Sequence, residues 1–104
     1  MTYGLLGKIY AQPGERDALV AALLAAAQLL EGDATCIHYV ISTSDEPEAV
    51  WVSEVWTEAD AHDASLARPE IRGLIERVRP LVAGMSDQTQ LHVHGGKGVE
   101  KITK

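Results

Sequence analysis

Glu54 and Trp56 stand two residues apart in the run Val-Trp-Val-Ser-Glu-Val-Trp that ends at Trp56. In an extended strand that spacing puts both side chains on one face, together with Val50 and Val52. A carboxylate on an otherwise apolar face is costly unless it is paired or protonated. Desolvation raises the pKa of such an acid, which suits it to act as general base toward a phenolic proton. The plainer reading puts Glu54 near a sheet edge, paired with Arg68 or Arg72. Trp56 is either a flat wall for an aromatic ligand or ordinary core packing. His62 follows on a helical stretch, on the side of Ala59 and Leu66, with Asp60 and Asp63 pointing outward. Imidazole there is an acid/base for work near neutral pH or a satisfied core residue. Ser65 shares the face of His62 and either hydrogen-bonds the same ligand or bonds back into its own helix. Arg68, pushed out of helical geometry by Pro69, is a candidate to stabilise an anionic ring oxygen, or a solvated arginine. Tyr39 lies on the alternating Ile37/Ile41 face and belongs to the site or to an interface, depending on what covers that face.

Other chemistries find less support. His92 and His94 share a face of the last expected strand, as metal-binding pairs do, but no third ligand is evident, so no metal site is expected. Gly95-Gly96-Lys97-Gly98 resembles a phosphate loop only superficially, since no helix follows it. Neither a Gly-rich dinucleotide fingerprint nor a Gly-x-Ser-x-Gly elbow occurs.

The elements that must position these residues follow from periodicity. Tyr3 to Ala11 alternates as a strand. Pro13-Gly14 ends it, and Glu15, Arg16 and Asp17 open a helix whose stripe is Leu19, Leu23, Ala26 and Leu30, flanked by Val20, Leu24 and Ala27, with Gly32 as its stop. Thr35 to Thr43 alternates again, Ile37, Tyr39 and Ile41 opposing Cys36, His38 and Val40. Ser44-Asp45-Glu46-Pro47 turns the chain into the strand from Val50 to Trp56. Thr57 is the expected N-cap, with Asp60 completing a shortened capping box, of a helix that runs to about Ala67. Pro69 starts another, with Ile71, Leu74, Ile75, Val78 and Leu81/Val82 inward. Ser86 to His94 closes the domain as a last strand. The order β-α-β-β-α-β, with the second helix broken at Arg68-Pro69, implies an α+β, ferredoxin-like fold: a four-stranded antiparallel sheet with its helices on one face. Residues 1–95 form the expected domain and 96–104 a tail. The strands carry apolar residues on both sides, so the uncovered face needs a partner, and a homodimer packed sheet to sheet is expected.

Length and composition bound the rest. The chain has 104 residues, 46% hydrophobic and 23% charged, which is one soluble domain with no room for a second. Nine basic against fifteen acidic residues give a net charge of −6, which argues against nucleic acid as a partner. Cys36 is the one cysteine, which excludes an internal disulfide and fits a reducing compartment. No secretory signal is recognisable, and the longest greasy stretch, Ala18 to Leu30, is too short for a bilayer, which needs roughly 20 residues. A cytoplasmic address and no membrane partner are expected.

Pro13-Gly14 before a long helix, Gly32, Cys36-Ile37-His38-Tyr39, Glu54-Val55-Trp56, His62 to Ser65 and the Ala67-Arg68-Pro69 break together resemble the antibiotic biosynthesis monooxygenase family, the quinol monooxygenase-like dimeric α+β barrels. The likeness covers roughly Tyr3 to Gly95. It implies a homodimer whose pocket lies between sheet and helices in each subunit. It also implies oxygenation of electron-rich polycyclic phenols or quinols by dioxygen with neither metal nor flavin, so no cofactor is expected. A more distant branch binds and degrades haem. Many relatives carry a His nine positions after the Trp, where this chain has Ser65, with His62 one turn earlier. The haem-degrading branch uses an Asn on the first strand, and Tyr3 to Ala11 contains none. Within the resemblance, Glu54 or His62 would take the ring proton, and Trp56, Ser65, Arg68 and Tyr39 would hold the substrate. The competing expectation is a non-catalytic module of the same fold that binds a small aromatic or a partner protein.

Overall fold

The four alternating stretches pair into one antiparallel sheet, and the helical stretches pack against one side of it. The structure is a computed structural model that describes residues 2–99. In chain order it contains β1 (Tyr3–Ala11), α1 (Arg16–Leu29), β2 (Cys36–Thr43), β3 (Ala49–Trp56), α2 (Ala59–Leu66), α3 (Pro69–Val78), a 3-10 turn at Arg79–Leu81 and β4 (Val82–His92). The strand order is β2-β3-β1-β4 with antiparallel neighbours throughout, the ferredoxin-like α+β fold expected from the sequence.

Pairing register decides which side chains share a face. Val50, Val52, Glu54 and Trp56 of β3 face the helices, and opposite them stand Ile9, Gly7, Leu5 and Tyr3 of β1. Two core clusters form on that side. Leu19 and Leu23 of α1 pack with Ala11, Val50 and Val52, while Leu30 and Ile71 pack with Trp56. Tyr39 touches both clusters and so lies at their junction. Completely buried side chains such as Leu19 and Val50 each contribute about 1.5–3 kcal/mol by leaving water. Among the described residues no helix is long and apolar enough to cross a membrane.

Several boundaries differ from the sequence expectation. Thr57 does not cap α2: its N–H pairs with the Thr35 carbonyl at 2.9 Å, extending the sheet ladder, and the helix begins at Ala59 after an extended Glu58. Gly32 does not stop α1 either. The chain turns there through Asp33, whose N–H reaches the Leu30 carbonyl at 3.0 Å and whose carboxylate accepts the Thr35 N–H and hydroxyl at 2.9 and 2.6 Å. Within α1, Leu24 is exposed, so the inward stripe is narrower than expected. On α2 the inward residues are Ala61, His62 and Ser65, with Ala59 and Leu66 exposed. The expected break is present: Arg68 is extended at ψ 132° and Pro69 opens α3.

The last strand begins four residues earlier than expected, because the 3-10 turn holding Pro80 ends the helix and Val82 swings into pairing with Ala11. Leu81 and Val82 therefore pack on the core from outside a helix. That strand ends at His92, so His94 lies beyond it and the expected shared face of the two histidines is lost. Of the expected tail, residues 96–99 close a turn, Val99 N–H to Gly96 carbonyl at 3.1 Å, and residues 100–104 lie outside the described residues.

Candidate functional site

Two residues on the interior strand β3 organise the site. Glu54 is not at a sheet edge, because β3 is flanked by β2 and β1. Its carboxylate Oε1 accepts the Trp56 indole N–H at 3.0 Å, and His62 Nε2 approaches the same oxygen at 3.7 Å. The His62 ring packs edge-on against the Trp56 indole, centroids 5.6 Å apart at 77°, and lies 5.7 Å from the Tyr3 ring. Arg68 and Arg72, the expected structural partners of Glu54, are not its partners. Arg68 reaches Glu70 at 3.1 Å, the Leu29 carbonyl at 3.4 Å and Asp33 at 3.5 Å, which ties the end of α1 to the start of α3.

Glu54, Trp56 and His62 are thus brought together, and Tyr39 joins them, standing directly across from Glu54 in the β2–β3 pairing. Tyr39 is therefore on the helix-covered face, which decides the question the alternation left open. Ser65 is buried behind His62, and its hydroxyl donates to the His62 carbonyl at 2.6 Å, inside its own helix. Arg68 stands apart from the cluster. Trp56 is 1% exposed, so its indole presents no open wall in this chain; its polar edge orients Glu54 instead.

Two residues that sequence reasoning did not select complete the group. Tyr3 pairs with Trp56 across β1–β3, a register that alternation alone does not reveal. Cys36 was expected on the opposite face from Tyr39. A bulge between Cys36 and His38 skips Ile37, so Cys36 pairs with Trp56 and joins the same face.

Burial raises the Glu54 carboxyl above its ordinary range, while the Trp56 N–H and His62 pull it back down. Burial, and then the Glu54 charge, raise Tyr39 too, so its phenol stays protonated. The same causes push the Cys36 thiol up to about 11, which leaves it a neutral group rather than a nucleophile. Tyr3 is raised by burial and by the charges of Asp63 and Glu54. The cluster is a single buried carboxyl set among neutral phenols, a thiol, an indole and an imidazole.

Two openings flank it. A groove of about 1040 Å³ runs between α1 and β2, bordered by Leu24, Ala27, Leu30, Cys36, Ile37 and Tyr39 among others. A smaller cleft of about 290 Å³ includes Tyr3, Asp60 and His92. Glu54, Trp56 and His62 line neither, but Cys36 and Tyr39 lie on the groove side of them and Tyr3 on the cleft side. The arrangement can move a proton onto a buried carboxyl, provided a ligand reaches it past Tyr39. Among the described residues no three His, Cys, Asp or Glu side chains are grouped to hold a metal ion.

Known proteins share this architecture. A Chloroflexus aurantiacus chain provisionally assigned as an antibiotic biosynthesis monooxygenase superposes with a TM-score of 0.87 at 37% identity, over 95% of this chain and 99% of that one. One of the same provisional assignment from Deinococcus radiodurans matches at TM-score 0.76 and 21% identity, over 92% and 95% of the two chains. SnoaB, a cofactor-independent oxygenase from Streptomyces nogalater, matches at TM-score 0.76 and 13% identity, over 92% and 96%, a likeness of fold alone. No curated protein sequence matches significantly. The sequence pattern of one family, antibiotic biosynthesis monooxygenase, fits residues 2–77, which run from β1 through most of α3 and include every member of the buried cluster. On that match and the 37% identity, the chain belongs to the antibiotic biosynthesis monooxygenase family.

Proposed function

We propose that the protein is a cofactor-independent monooxygenase of electron-rich phenols or quinols. Glu54 removes a proton from the ring hydroxyl, and the resulting anion reacts directly with dioxygen. For a hydroquinone oxidised to a hydroxyquinone, one oxygen atom enters the ring and the other leaves as water, with all four electrons supplied by the substrate. The protein contributes proximity and a water-poor surrounding. What carries this reading is the buried Glu54 carboxyl, raised by desolvation and oriented by Trp56 Nε1 at 3.0 Å. A base in that condition is matched to a weakly acidic hydroxyl at neutral pH. Substrate enters along the α1–β2 groove, and Tyr39 meets it as a neutral hydrogen-bonding phenol.

The working unit is a homodimer. Val40 and Leu91 are exposed on the sheet face away from the helices, where Leu6 and Val55 are also only half covered. A second sheet packed there shields them and leaves each subunit's helix side free for its ligand.

The competing reading is a binding module without turnover, favoured by the near-complete burial of Trp56 at 1% exposure. Oxygen uptake with simple hydroquinones separates the two. The oxygenase reading expects uptake by the wild type and a loss of about 10²–10⁴-fold in Glu54→Gln. Saturable binding of the same compounds without oxygen consumption would instead establish the binding module.

A further inference from the structure

His62 touches a second carboxylate that the proposed chemistry has not yet used. Its Nδ1 lies 3.2 Å from Asp63 Oδ1, within hydrogen-bond distance, while its Nε2 lies 3.7 Å from Glu54 Oε1, outside it. The three side chains also form a gradient of exposure: 11% for Glu54, 15% for His62 and 74% for Asp63. Glu54 is buried beneath the helices, Asp63 is in water, and the imidazole spans the distance between them.

We propose that Asp63 is a positioning residue that holds the proton of the neutral His62 ring on Nδ1, leaving the Nε2 lone pair aimed at Glu54, so that Glu54, His62 and Asp63 form a proton path from the buried site to solvent. A neutral imidazole carries one N–H, and its other nitrogen accepts. The hydrogen bond within reach is the one to Asp63, so the ring donates there. Nε2 can then accept the proton of a protonated Glu54, after which Nδ1–H passes to Asp63 and on to water. No bond other than N–H and O–H forms or breaks. The relay leaves Glu54 ionised and the ring as its Nε2–H tautomer, and exchange of protons with water, with Asp63 again accepting from Nδ1, restores the Nδ1–H ring before another turnover. The ring is held for this role by the Trp56 edge at 5.6 Å, the Tyr3 ring at 5.7 Å and the Ser65 hydroxyl, which donates to the His62 carbonyl at 2.6 Å and fixes that turn of α2. The titratable groups around Glu54 and His62 are Tyr3 from β1, Cys36 and Tyr39 from β2, and Asp63 from α2 itself. Tyr3, Cys36 and Tyr39 are held protonated, and of the two carboxyl groups beside the ring Asp63 is the one within hydrogen-bond distance.

The relay rests on Glu54 being the base, but the tautomer test needs no turnover. Long-range proton–nitrogen NMR spectra of the full chain, followed upward in pH until the rings are neutral, identify which nitrogen carries the proton. Loss of one signal in His62→Gln assigns it among the four histidines. The expected result is an Nδ1–H ring in the wild type, a shift toward Nε2–H in Asp63→Ala, and recovery of Nδ1–H in Asp63→Asn, which keeps an acceptor oxygen. A wild-type ring protonated on Nε2, or one indifferent to Asp63→Ala, would overturn the proposal. Because Asp63 is exposed, its removal leaves the fold intact. An Nδ1–H ring in a protein that consumes no oxygen would refute the oxygenase reading while leaving the positioning role standing.

Discussion

At Glu54, the cost of desolvating a carboxylate works against its hydrogen bond with Trp56 and its contact with His62, and desolvation wins. A carboxyl raised in the folded state binds its proton more tightly there than in the unfolded chain. The stability this adds is complete below the ordinary glutamate range and is lost as pH rises through the raised value. Glu54→Gln removes the buried charge but keeps an oxygen for the Trp56 N–H. It should melt at a higher temperature than the wild type at pH 8, and the difference should close at about pH 4, where free glutamate protonates; thermal melts at the two pH values check this. Trp56→Phe keeps an aromatic ring but deletes the donor, so the Glu54 carboxyl should titrate higher still, as carbon-detected NMR would report. If Trp56 were core packing alone, the titration would not move.

Between elements, the site depends on how β2, β3 and α2 meet. The bulge at Ile37 brings Cys36 onto the face of Tyr39 and Glu54, and α2 starts only at Ala59, with His62 and Ser65 on its inward side as their helical spacing predicts. The bulge and the later helix start are invisible to a reading by strict alternation or by capping residues, because an unpaired residue and a backbone hydrogen bond to Thr35 leave no mark in residue type. The helix break was legible, since proline forbids the helical conformation in the residue before it. Arg68 at that break contacts Asp33, Glu70 and the end of α1. It is a third exposed, and ion pairs at such positions contribute about 0–1 kcal/mol. Arg68→Ala should therefore cost no more than about 1 kcal/mol in denaturant unfolding and leave the KM for a hydroquinone unchanged; a raised KM would return Arg68 to the substrate. Leu19, completely buried under the sheet, should by contrast cost about 2–5 kcal/mol when cut to alanine.

Across the whole molecule the helices cover one face of the sheet, and the thinnest dimension is 17 Å, enough for two layers and no third. The bare face divides in two. At one end Lys8 sits between Glu46 at 3.0 Å and Asp87 at 3.4 Å, about 5 Å from the Tyr10 and Trp51 rings, a polar patch content in water. At the other end Val40, Val55 and Leu91 offer apolar surface. A homodimer built on the apolar end predicts twice the 11.2 kDa chain mass by light scattering, reduced to the monomer by Val40→Glu; a wild type that runs as a monomer at micromolar concentration would refute it. The sequence alone determined the element order, the sheet with helices on one side, and the pairing of Glu54 with Trp56 on one face, because periodicities of 2 and 3.6 residues and a proline's geometry are local properties. It could not determine that Tyr39, Tyr3 and Cys36 surround that pair, that His62 bridges to Asp63, or that Arg68 is engaged elsewhere. Those depend on strand register and side-chain reach between segments distant in the chain, which only the tertiary structure sets.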